Sequence, residues 1–210
     1  IESRFEPART LALIARWRPT LTLQVPATLL ALLAEPAWAH TDLASLRAIA
    51  TGSTDVPVAI IAAIHARGVP VIQIYGATET GPVAIYQRID EAFASVGAIG
   101  RAGLHTEIRL VTVDGRDAAV DEPGEIHVRG AHCAQGYWDA ASGSATPFPA
   151  GWFVSGDVAA RDAHGRYWFK DRVKHVIISG GENIYPAELE NVLIQCEDVA
   201  EAAVVGRNDA

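Results

Sequence analysis

A short loop of small residues at positions 76–81 carries two groups that can do chemistry, and it directly follows an apolar run. Thr78 offers a hydroxyl and Glu79 a carboxylate. Glycine and alanine beside them let a ligand approach the backbone closely. The combination suits a phosphate group and its Mg²⁺, which favours a few carboxylate oxygens plus phosphate oxygens. From spacing alone, an ordinary strand-to-loop turn with a solvated Glu79 is an equally good interpretation.

Asp157 is a second carboxylate of interest, because it stands inside the apolar stretch 153–158. Burying an Asp is costly unless its oxygens receive hydrogen bonds, and two neighbouring ribose hydroxyls would supply them. A turn-capping Asp is the alternative. Asp171 and Arg172 are equally open to two interpretations, a surface ion pair or a contact to a ribose or phosphate.

Two adjacent glycines, Gly180 and Gly181, separate a predicted strand from a predicted helix. Backbone amides in such a turn can bind an anion or lie flat against a thin ligand. Taken alone, the segment is better explained as a plain tight turn. The sequence contains neither a P-loop nor a dinucleotide-binding fingerprint, so a P-loop kinase or a dehydrogenase is not supported.

The elements that must position these groups predict an α/β fold. Strands are predicted at 21–25, 46–50 and 70–75, and helices at 27–34 and 56–66. Strand, helix and strand with short connections form a parallel βαβ unit with a right-handed crossover. Ligands of such sheets bind beyond the carboxyl ends of the strands. The loops 51–54 and 76–81 therefore lie at the predicted binding edge.

The pattern changes twice further along the chain. Short alternating stretches separated by turns predict an antiparallel β module, with strands at 107–113, 125–129, 152–158 and 166–170. A third pattern begins at residue 175, with strands at 176–179 and 199–205 and a helix that starts at Pro186. The predicted regions are 1–95, 96–173 and 174–210, with the domain boundary near 172–174.

Composition excludes several classes of protein. The 210 residues carry a formal net charge of −8, so a sequence-wide basic surface for nucleic acid is absent. No apolar run is long enough to predict a membrane-spanning helix. Cys133 and Cys196 lack metal-ligand spacing, and we expect two reduced thiols in a cytoplasmic protein. The chain starts at Ile1 and contains no Met, and we interpret it as cut at both ends.

Five segments in a fixed order resemble the motifs of the adenylate-forming superfamily, which comprises acyl- and aryl-CoA ligases, luciferases and peptide-synthetase adenylation domains. The segments are 75–80 (YGATET), 124–126 with 136–138 (GEI and GYW), 151–157 (GWFVSGD), 170–174 (KDRVK) and 178–190 (ISGGENIYPAELE). The resemblance covers essentially the whole chain. It implies the C-terminal part of the large domain, a parallel βαβ sheet plus the antiparallel module, followed by the start of the small α+β domain.

The resemblance also implies an activity, an ATP-dependent and AMP-forming acid–CoA ligase. Such an enzyme joins a small carboxylic acid to ATP as an acyl-adenylate, releases pyrophosphate, and transfers the acyl group to coenzyme A. The resemblance implies that the nucleotide is bound by Gly52, Ser53, Thr54, Tyr75 and Gly76, with Tyr75 stacked on the adenine, while Thr78 binds the α-phosphate, Glu79 binds Mg²⁺, and Asp157 and Arg172 bind the ribose.

The resemblance further implies roles in the second half-reaction and in acid binding. Lys174 would be the domain hinge, Gly180 and Gly181 would border the pantetheine tunnel, and Gly76, Ala77, Pro82 and Val83 would border the acyl group.

Three family features have no counterpart in these 210 residues: the Ser/Thr/Gly-rich phosphate loop, the aromatic or His segment beside the acyl group, and the catalytic Lys. We therefore expect the chain alone to be inactive. A peptide-synthetase-type adenylation domain, a luciferase-like oxygenase and a non-catalytic nucleotide-binding remnant remain alternatives. Residues 179–183 (SGGEN) favour a CoA ligase, because the peptide branch usually carries a bulkier charged loop there. The sequence does not identify the acid.

Overall fold

The computed structural model describes residues 4–53, 56–139, 141, 144–180, 182–196, 198–199 and 201–207. The chain forms two compact units, one from residues 1–74 with 87–98 and the other from 75–86 with 99–210. Each unit has its own hydrophobic cluster, and neither cluster contains a buried residue of the other unit. Thr54 and Gly181, to which the sequence assigns ligand contacts, lie outside the described residues.

Parallel strands and three helices build the first unit. The strands are β1 (Leu21–Gln24), β2 (Ala48–Gly52) and β3 (Val71–Tyr75), and the helices are α1 (Pro7–Trp17), α2 (Pro26–Ala34) and α3 (Val58–His65). β2 pairs in parallel with both β1 and β3. α1 and α2 begin with a proline, whose missing N–H is one that the first helical turn leaves unpaired anyway. These elements confirm the predicted βαβ pattern, with bounds that differ by about two residues.

Buried glutamines close the first unit around the segment 87–98. The backbone N–H of Gln73 donates to Gln87 Oε1 at 2.8 Å, and the amide nitrogen of Gln73 donates to the carbonyl of Ala98 at 3.1 Å. The side chain of Gln87 in turn donates to the carbonyl of Ser95 at 2.7 Å. Because all of these polar groups are buried, each needs its partner inside the unit.

The second unit is dominated by antiparallel strands. A four-stranded sheet contains β6 (Thr106–Val111), β7 (Gly124–Gly130), β10 (Phe153–Arg161) and β11 (Tyr167–Arg172). Three further antiparallel pairs are β4 (Ile85–Tyr86) with β5 (Arg101–Ala102), β8 (Gly136–Asp139) with β9 (Ser144–Pro147), and β12 (Ile177–Ser179) with β13 (Glu182–Ile184). The four-stranded sheet runs in the order β11-β10-β7-β6. Helix α4 (Pro186–Leu193) follows. The predicted antiparallel module is confirmed, whereas the β8–β9 hairpin was not predicted.

One predicted strand was wrong. Residues 201–207 have no strand structure in the part of the chain that is described, although 199–205 alternates like a strand. A strand needs a neighbour for its backbone amides. The backbone N–H of Val204 instead donates to the Glu190 carboxylate of α4 at 2.8 Å, so this amide is satisfied by a side chain and not by a neighbouring strand.

Among the described residues, no helix combines the length and apolar character that crossing a bilayer requires.

Candidate functional site

The pairing between β7 and β10 is interrupted where Asp157 lies. Val154 pairs with His127, and the ladder resumes only at Val158, which pairs with Glu125. Ser155, Gly156 and Asp157 therefore stand opposite Ile126 alone, and Gly156 takes a φ of +74°. Such a bulge bends the strand and changes the direction of its side chains. The bulge is what takes Asp157 out of the regular alternation of β10.

Side chains satisfy the backbone groups that this bulge leaves without ladder partners. The N–H of Gly156 donates to Glu125 Oε1 at 3.0 Å. The N–H of Asp157 donates to Ser155 Oγ at 3.1 Å. Both contacts are partly buried, so the loss of an acceptor would leave a poorly solvated amide. The conformation of residues 155–157 is thus held by specific hydrogen bonds.

Both oxygens of the Asp157 carboxylate have partners. Tyr75 donates its hydroxyl to Oδ2 at 2.8 Å, and Arg172 Nε lies 3.2 Å from Oδ1. Asp157 and Arg172 are also cross-strand neighbours in the β10–β11 pair. The Asp157 side chain is only 14% exposed, while that of Arg172 is 56% exposed. A buried carboxylate is therefore held beside a cation that solvent or a ligand can reach.

The surroundings of Asp157 alter its protonation in opposing directions. Burial raises the pKa of its carboxyl above the ordinary value, and the nearby Glu125 carboxylate adds to that rise. The Tyr75 hydrogen bond and the Arg172 charge lower the same pKa in part. Burial, followed by the Asp157 charge, raises the pKa of Tyr75, so this phenol keeps its proton and remains a donor. Tyr75, Asp157 and Arg172 are three of the predicted site residues, and the structure brings their side chains together.

The loop that follows β3 is fixed by close contacts within the second unit. A Cβ on Gly76 would lie 1.9 Å from the carbonyl oxygen of Pro82, which explains the glycine by packing. Thr80 Oγ1 accepts the N–H of Ala77 at 2.9 Å, and Thr78–Thr80 form one turn of 3₁₀ helix. Thr78 is exposed, Ala77 is partly buried and Pro82 and Val83 follow the turn.

Glu79 is anchored to the segment before β8 and to β8 itself. Its backbone carbonyl accepts the N–H of Ala134 at 2.7 Å, and its Oε1 accepts the hydroxyl of Tyr137 at 2.7 Å. Donation to this carboxylate, together with some burial, raises the pKa of Tyr137. The Tyr137 ring packs edge-to-face on Phe148, at 5.4 Å between ring centroids. The hairpin thereby fixes the direction of the Glu79 carboxylate.

Gly52 and Ser53 end β2 in the first unit. A Cβ on Gly52 would lie 2.2 Å from the carbonyl oxygen of Ile74 on the neighbouring strand, so only glycine fits. Ser53 has a φ of +80°, which is unusual for a residue with a side chain. The hydroxyl of the preceding Thr51 is buried and has no hydrogen-bond partner among the described residues. The strand continues to Gly52, two residues beyond the predicted end at residue 50, and Ser53 is the first residue after it.

Asp171 connects β11 to the start of α4. It is 4% exposed, and its Oδ2 accepts the N–H of Ala187 at 2.9 Å, within the first turn of α4. Its Oδ1 accepts the N–H of Arg172 at 2.6 Å and lies 3.3 Å from His175 Nδ1. The Asp171 carboxylate is thus turned toward the backbone amides of Arg172 and Ala187. Arg172 pairs with Asp157 instead.

The predicted hinge and glycine turn lie between Asp171 and α4. Val173–His175, which include Lys174, form one turn of 3₁₀ helix. Gly180 has a φ of +61° after β12, and no atom lies within 4 Å of a Cβ built there. The positive φ therefore suffices to explain this glycine.

Sequence reasoning missed two residues that the structure places at the site. Glu125 and Tyr137 contact Gly156 and Glu79, respectively. Both stand in the paired segment 124–126 and 136–138. That motif was the available signal. The contact of Glu125 depends on the register of β7 and β10, and that of Tyr137 on the position of β8 beside the Glu79 turn.

Comparisons with known proteins identify the family of this chain. The family profile described as "AMP-binding enzyme" matches residues 1–138. An indoleacetate–CoA ligase of Aromatoleum aromaticum is 46% identical over 209 residues, which are 100% of this chain and 41% of that protein. The amide bond synthetase of Marinactinospora thermotolerans has a TM-score of 0.88 at 31% identity, over 99% of this chain and 42% of that one.

A third comparison includes bound nucleotide. The o-succinylbenzoate–CoA synthetase of Bacillus subtilis, in complex with ATP and magnesium ion, has a TM-score of 0.86 at 34% identity, over 99% of this chain and 43% of that one. The chain spans about two fifths of the length of the relatives it matches. The family profile covers well over half of the chain, and solved relatives share its fold almost throughout. The chain belongs to the AMP-binding enzyme family of adenylate-forming proteins.

Proposed function

We propose that the protein containing this chain is an AMP-forming acid–CoA ligase. The observation that carries the proposal is the buried Asp157 carboxylate between Tyr75 and Arg172, in a chain 46% identical to an indoleacetate–CoA ligase. A charged acceptor beside an exposed guanidinium suits the vicinal hydroxyls of a ribose. ATP and the acid would form an acyl-adenylate and pyrophosphate, and coenzyme A would then take the acyl group and release AMP.

The nucleotide would be held at the ends of two strands. Gly52, Ser53 and Thr54 would contact the adenine after β2, and Tyr75 and Gly76 after β3. Tyr75 would stack its ring on the base while its hydroxyl stays on Asp157. Asp157 would accept the ribose hydroxyls, and Arg172 would donate to the ribose or the phosphates.

Thr78 and Glu79 would act on the phosphates. Thr78 is exposed, and its hydroxyl is suited to donate to the α-phosphate on which charge develops during adenylation. In the described residues no three His, Cys, Asp or Glu side chains converge on a metal position. That fits Mg²⁺, which binds through one or two carboxylates plus substrate phosphates and water. Glu79 would hold it, and the ion would neutralise phosphate charge.

The remaining sequence assignments concern the second half-reaction and the acid. Lys174 would be the hinge that rearranges residues 174–210 between adenylation and thioester formation. Gly180 and Gly181 would border the pantetheine arm of coenzyme A. Ala77, Pro82, Val83 and Gly76 would border the acyl group. We propose a small carboxylic acid as substrate, with aryl acetates as the first class to test, because one relative is an indoleacetate–CoA ligase.

A second candidate differs in the acceptor. The likeness to an amide bond synthetase, at a TM-score of 0.88, favours an amine in place of the thiol of coenzyme A. The first half-reaction would be the same, because both acceptors attack an acyl-adenylate.

The test uses the complete protein that contains this chain. Pyrophosphate exchange with a panel of aryl acetates, cinnamates, benzoates and fatty acids identifies the acid, and each active acid is then offered coenzyme A or simple amines. Asp157→Ala should raise the KM for ATP at least about tenfold, because the ribose hydroxyls lose a charged partner. Absence of acid-dependent exchange across the panel, or an unchanged KM for ATP in this variant, would refute the proposal.

A further inference from the structure

The turn that presents Asp157 depends on an acceptor from the neighbouring strand. In an unbroken antiparallel pair, carbonyls of β7 would accept the amides of β10. The bulge at residues 155–157 moves the N–H of Gly156 out of that ladder. Glu125 pairs with Val158 directly after the bulge. Its side-chain oxygen Oε1 accepts the N–H of Gly156 at 3.0 Å and so replaces the missing backbone acceptor.

Among the described residues, the hydrogen bond to Gly156 is the shortest contact given for the Glu125 carboxylate. Its second oxygen, Oε2, lies 3.6 Å from His127 Nε2, beyond the range of a good hydrogen bond. Its side chain is 28% exposed, so the carboxylate is neither a core group nor a freely solvated one. The hydrogen bond to Gly156 is thus the contact that fixes its position.

The negative charge of Glu125 repels the negative charge of Asp157. A second carboxylate near a buried carboxylate is unfavourable, and it adds to the raised pKa of Asp157. A sequence that needed only stability at this position would do better with a neutral side chain. A charge-assisted hydrogen bond to a backbone amide is stronger than a neutral one, which favours Glu where the turn must be held rigidly.

We propose that Glu125 is a positioning residue for nucleotide binding: by holding the N–H of Gly156, it fixes the turn 155–157 and the direction of the Asp157 carboxylate. The inference rests on the proposed function, in which Asp157 accepts the ribose hydroxyls. Glu125 itself does not touch the nucleotide. Its effect is therefore confined to steps in which the ribose is bound, and it does not extend to the acid or to the acceptor.

The test is steady-state kinetics of the complete ligase with Glu125→Ala, Glu125→Gln and Asp157→Ala. Glu125→Ala should raise the KM for ATP about tenfold, as expected for loss of a hydrogen bond to a charged group. The kcat and the KM for the acid should change less than about twofold, because neither depends on ribose alignment. Glu125→Gln keeps an acceptor oxygen and should restore most of the loss, to within roughly threefold of the unchanged protein.

Glu107→Ala is the matched control. Glu107 also lies on this sheet, on the adjacent strand β6, but it is an exposed partner of Arg129. Its removal should leave all three kinetic constants unchanged. Thermal unfolding of every variant separates a local effect from misfolding. Should Glu125→Ala fail to fold, Glu125→Asp serves instead, since it keeps the charge but draws it back from Gly156 and should also raise the KM for ATP.

The outcomes distinguish the two proposals. A folded Glu125→Ala protein with an unchanged KM for ATP, beside an Asp157→Ala protein with a raised one, would overturn the positioning role alone. A lower kcat together with equally raised KM values for all substrates would also overturn it, because that pattern indicates a general structural role. No recovery with Gln would overturn it as well, because an acceptor oxygen for the Gly156 N–H would then not be what nucleotide binding requires. An unchanged KM for ATP in Asp157→Ala would overturn the proposed ribose site itself.

Discussion

Tyr75 and Asp157 are 82 residues apart in sequence, yet the Tyr75 hydroxyl donates to the Asp157 carboxylate at 2.8 Å. This bond links the end of β3 to the bulge of β10. Because burial and the Asp157 charge raise the pKa of the phenol, Tyr75 stays a donor across the working range of pH. The bond therefore favours the charged form of Asp157, which is the form that a ribose needs.

Removal of the Tyr75 hydroxyl should change how nucleotide binding depends on pH. The hydrogen bond lowers the pKa of Asp157 against the rise caused by burial. Tyr75→Phe should therefore raise this pKa further, and the KM for ATP should begin to increase at a higher pH as the solution is acidified. Measuring the KM for ATP between pH 5 and pH 8, with the acid saturating, gives the comparison.

Glu125→Gln provides the opposite shift as a control. Its charge adds to the raised pKa of Asp157, so its removal should move the acidic increase in KM to lower pH. The ring remains in Tyr75→Phe, so the proposed stacking on the base would be retained. A shift in the same direction for both variants would contradict the assignment of the pH dependence to Asp157.

Neutralising Asp157 should not destabilise the fold at neutral pH. Its pKa in the folded protein is raised above the ordinary value, so the folded state holds the proton more tightly than the unfolded chain. The charged form thus costs stability above this raised pKa, and no such cost exists below the unfolded pKa. Asp157→Asn should show an equal or higher Tm at pH 7, together with weaker ATP binding.

The pH dependence of the same variant supplies the check. Any gain in Tm should disappear as the pH falls below the ordinary pKa of Asp, where the unchanged protein is protonated in both states. A Tm that drops at pH 7 would show that the hydrogen bonds from Tyr75 and Arg172 outweigh the cost of burial.

The charge of Glu79 and its hydrogen bond to Tyr137 can be tested separately. Glu79→Gln keeps an oxygen for the Tyr137 hydroxyl but removes the charge, and we expect a higher Mg²⁺ requirement and roughly 10²-fold slower adenylation. Tyr137→Phe keeps the charge and loses only the hydrogen bond, so its effect should be much smaller. Single-turnover pyrophosphate release across a range of Mg²⁺ concentrations compares them, and equal effects would argue against a metal role.

Lys174→Pro should damage the two half-reactions unequally. Proline fixes φ near −65° and removes the backbone N–H, which restricts a hinge to one arrangement. In the complete enzyme, adenylation should continue at a useful rate. Thioester formation from preformed acyl-adenylate should fall by about 10²-fold or more, as expected for misplaced reactants. Both steps are measured on one preparation, with thermal unfolding as the folding control.

Lys174→Pro also has outcomes that would contradict a hinge at this residue. If Lys174 is only a solvated linker residue, proline would harm both steps equally through misfolding, or neither. Either result would remove the hinge assignment.

The 210-residue chain alone should not form acyl-adenylate. It spans about two fifths of its relatives, and the phosphate loop and catalytic Lys of the family have no counterpart in it. Loss of even one preorganised donor typically slows such a step by roughly 10²–10³-fold. Pyrophosphate exchange by the purified chain is the measurement, and a rate near that of an intact ligase would contradict the prediction.

Three short segments, 75–80, 151–157 and 170–174, predict Tyr75, Asp157 and Arg172 as site residues, and the structure brings these three side chains together. The bulge at 155–157 is not readable, since it depends on the register between two strands that are distant in sequence. Glu125 acquires its role only through that register.

Local patterns also misled in identifiable ways. The alternation at 199–205 predicts a strand, but no neighbouring strand among the described residues pairs with 201–207. The β8–β9 hairpin escaped prediction because β9 contains Pro147 and lacks strongly strand-forming side chains.

The route of the chain between its two units has a consequence for how the protein can be shortened. Residues 75–86 leave the first unit, and 87–98 return to complete it. In a truncation that ends at β3, the backbone N–H of Gln73 would lose its acceptor, Gln87 Oε1, and the side-chain amide of Gln73 would lose its acceptor, the carbonyl of Ala98. During synthesis on the ribosome, the first unit likewise cannot finish folding until residue 98 has left the exit tunnel. Its final closure must wait for part of the second unit to be made.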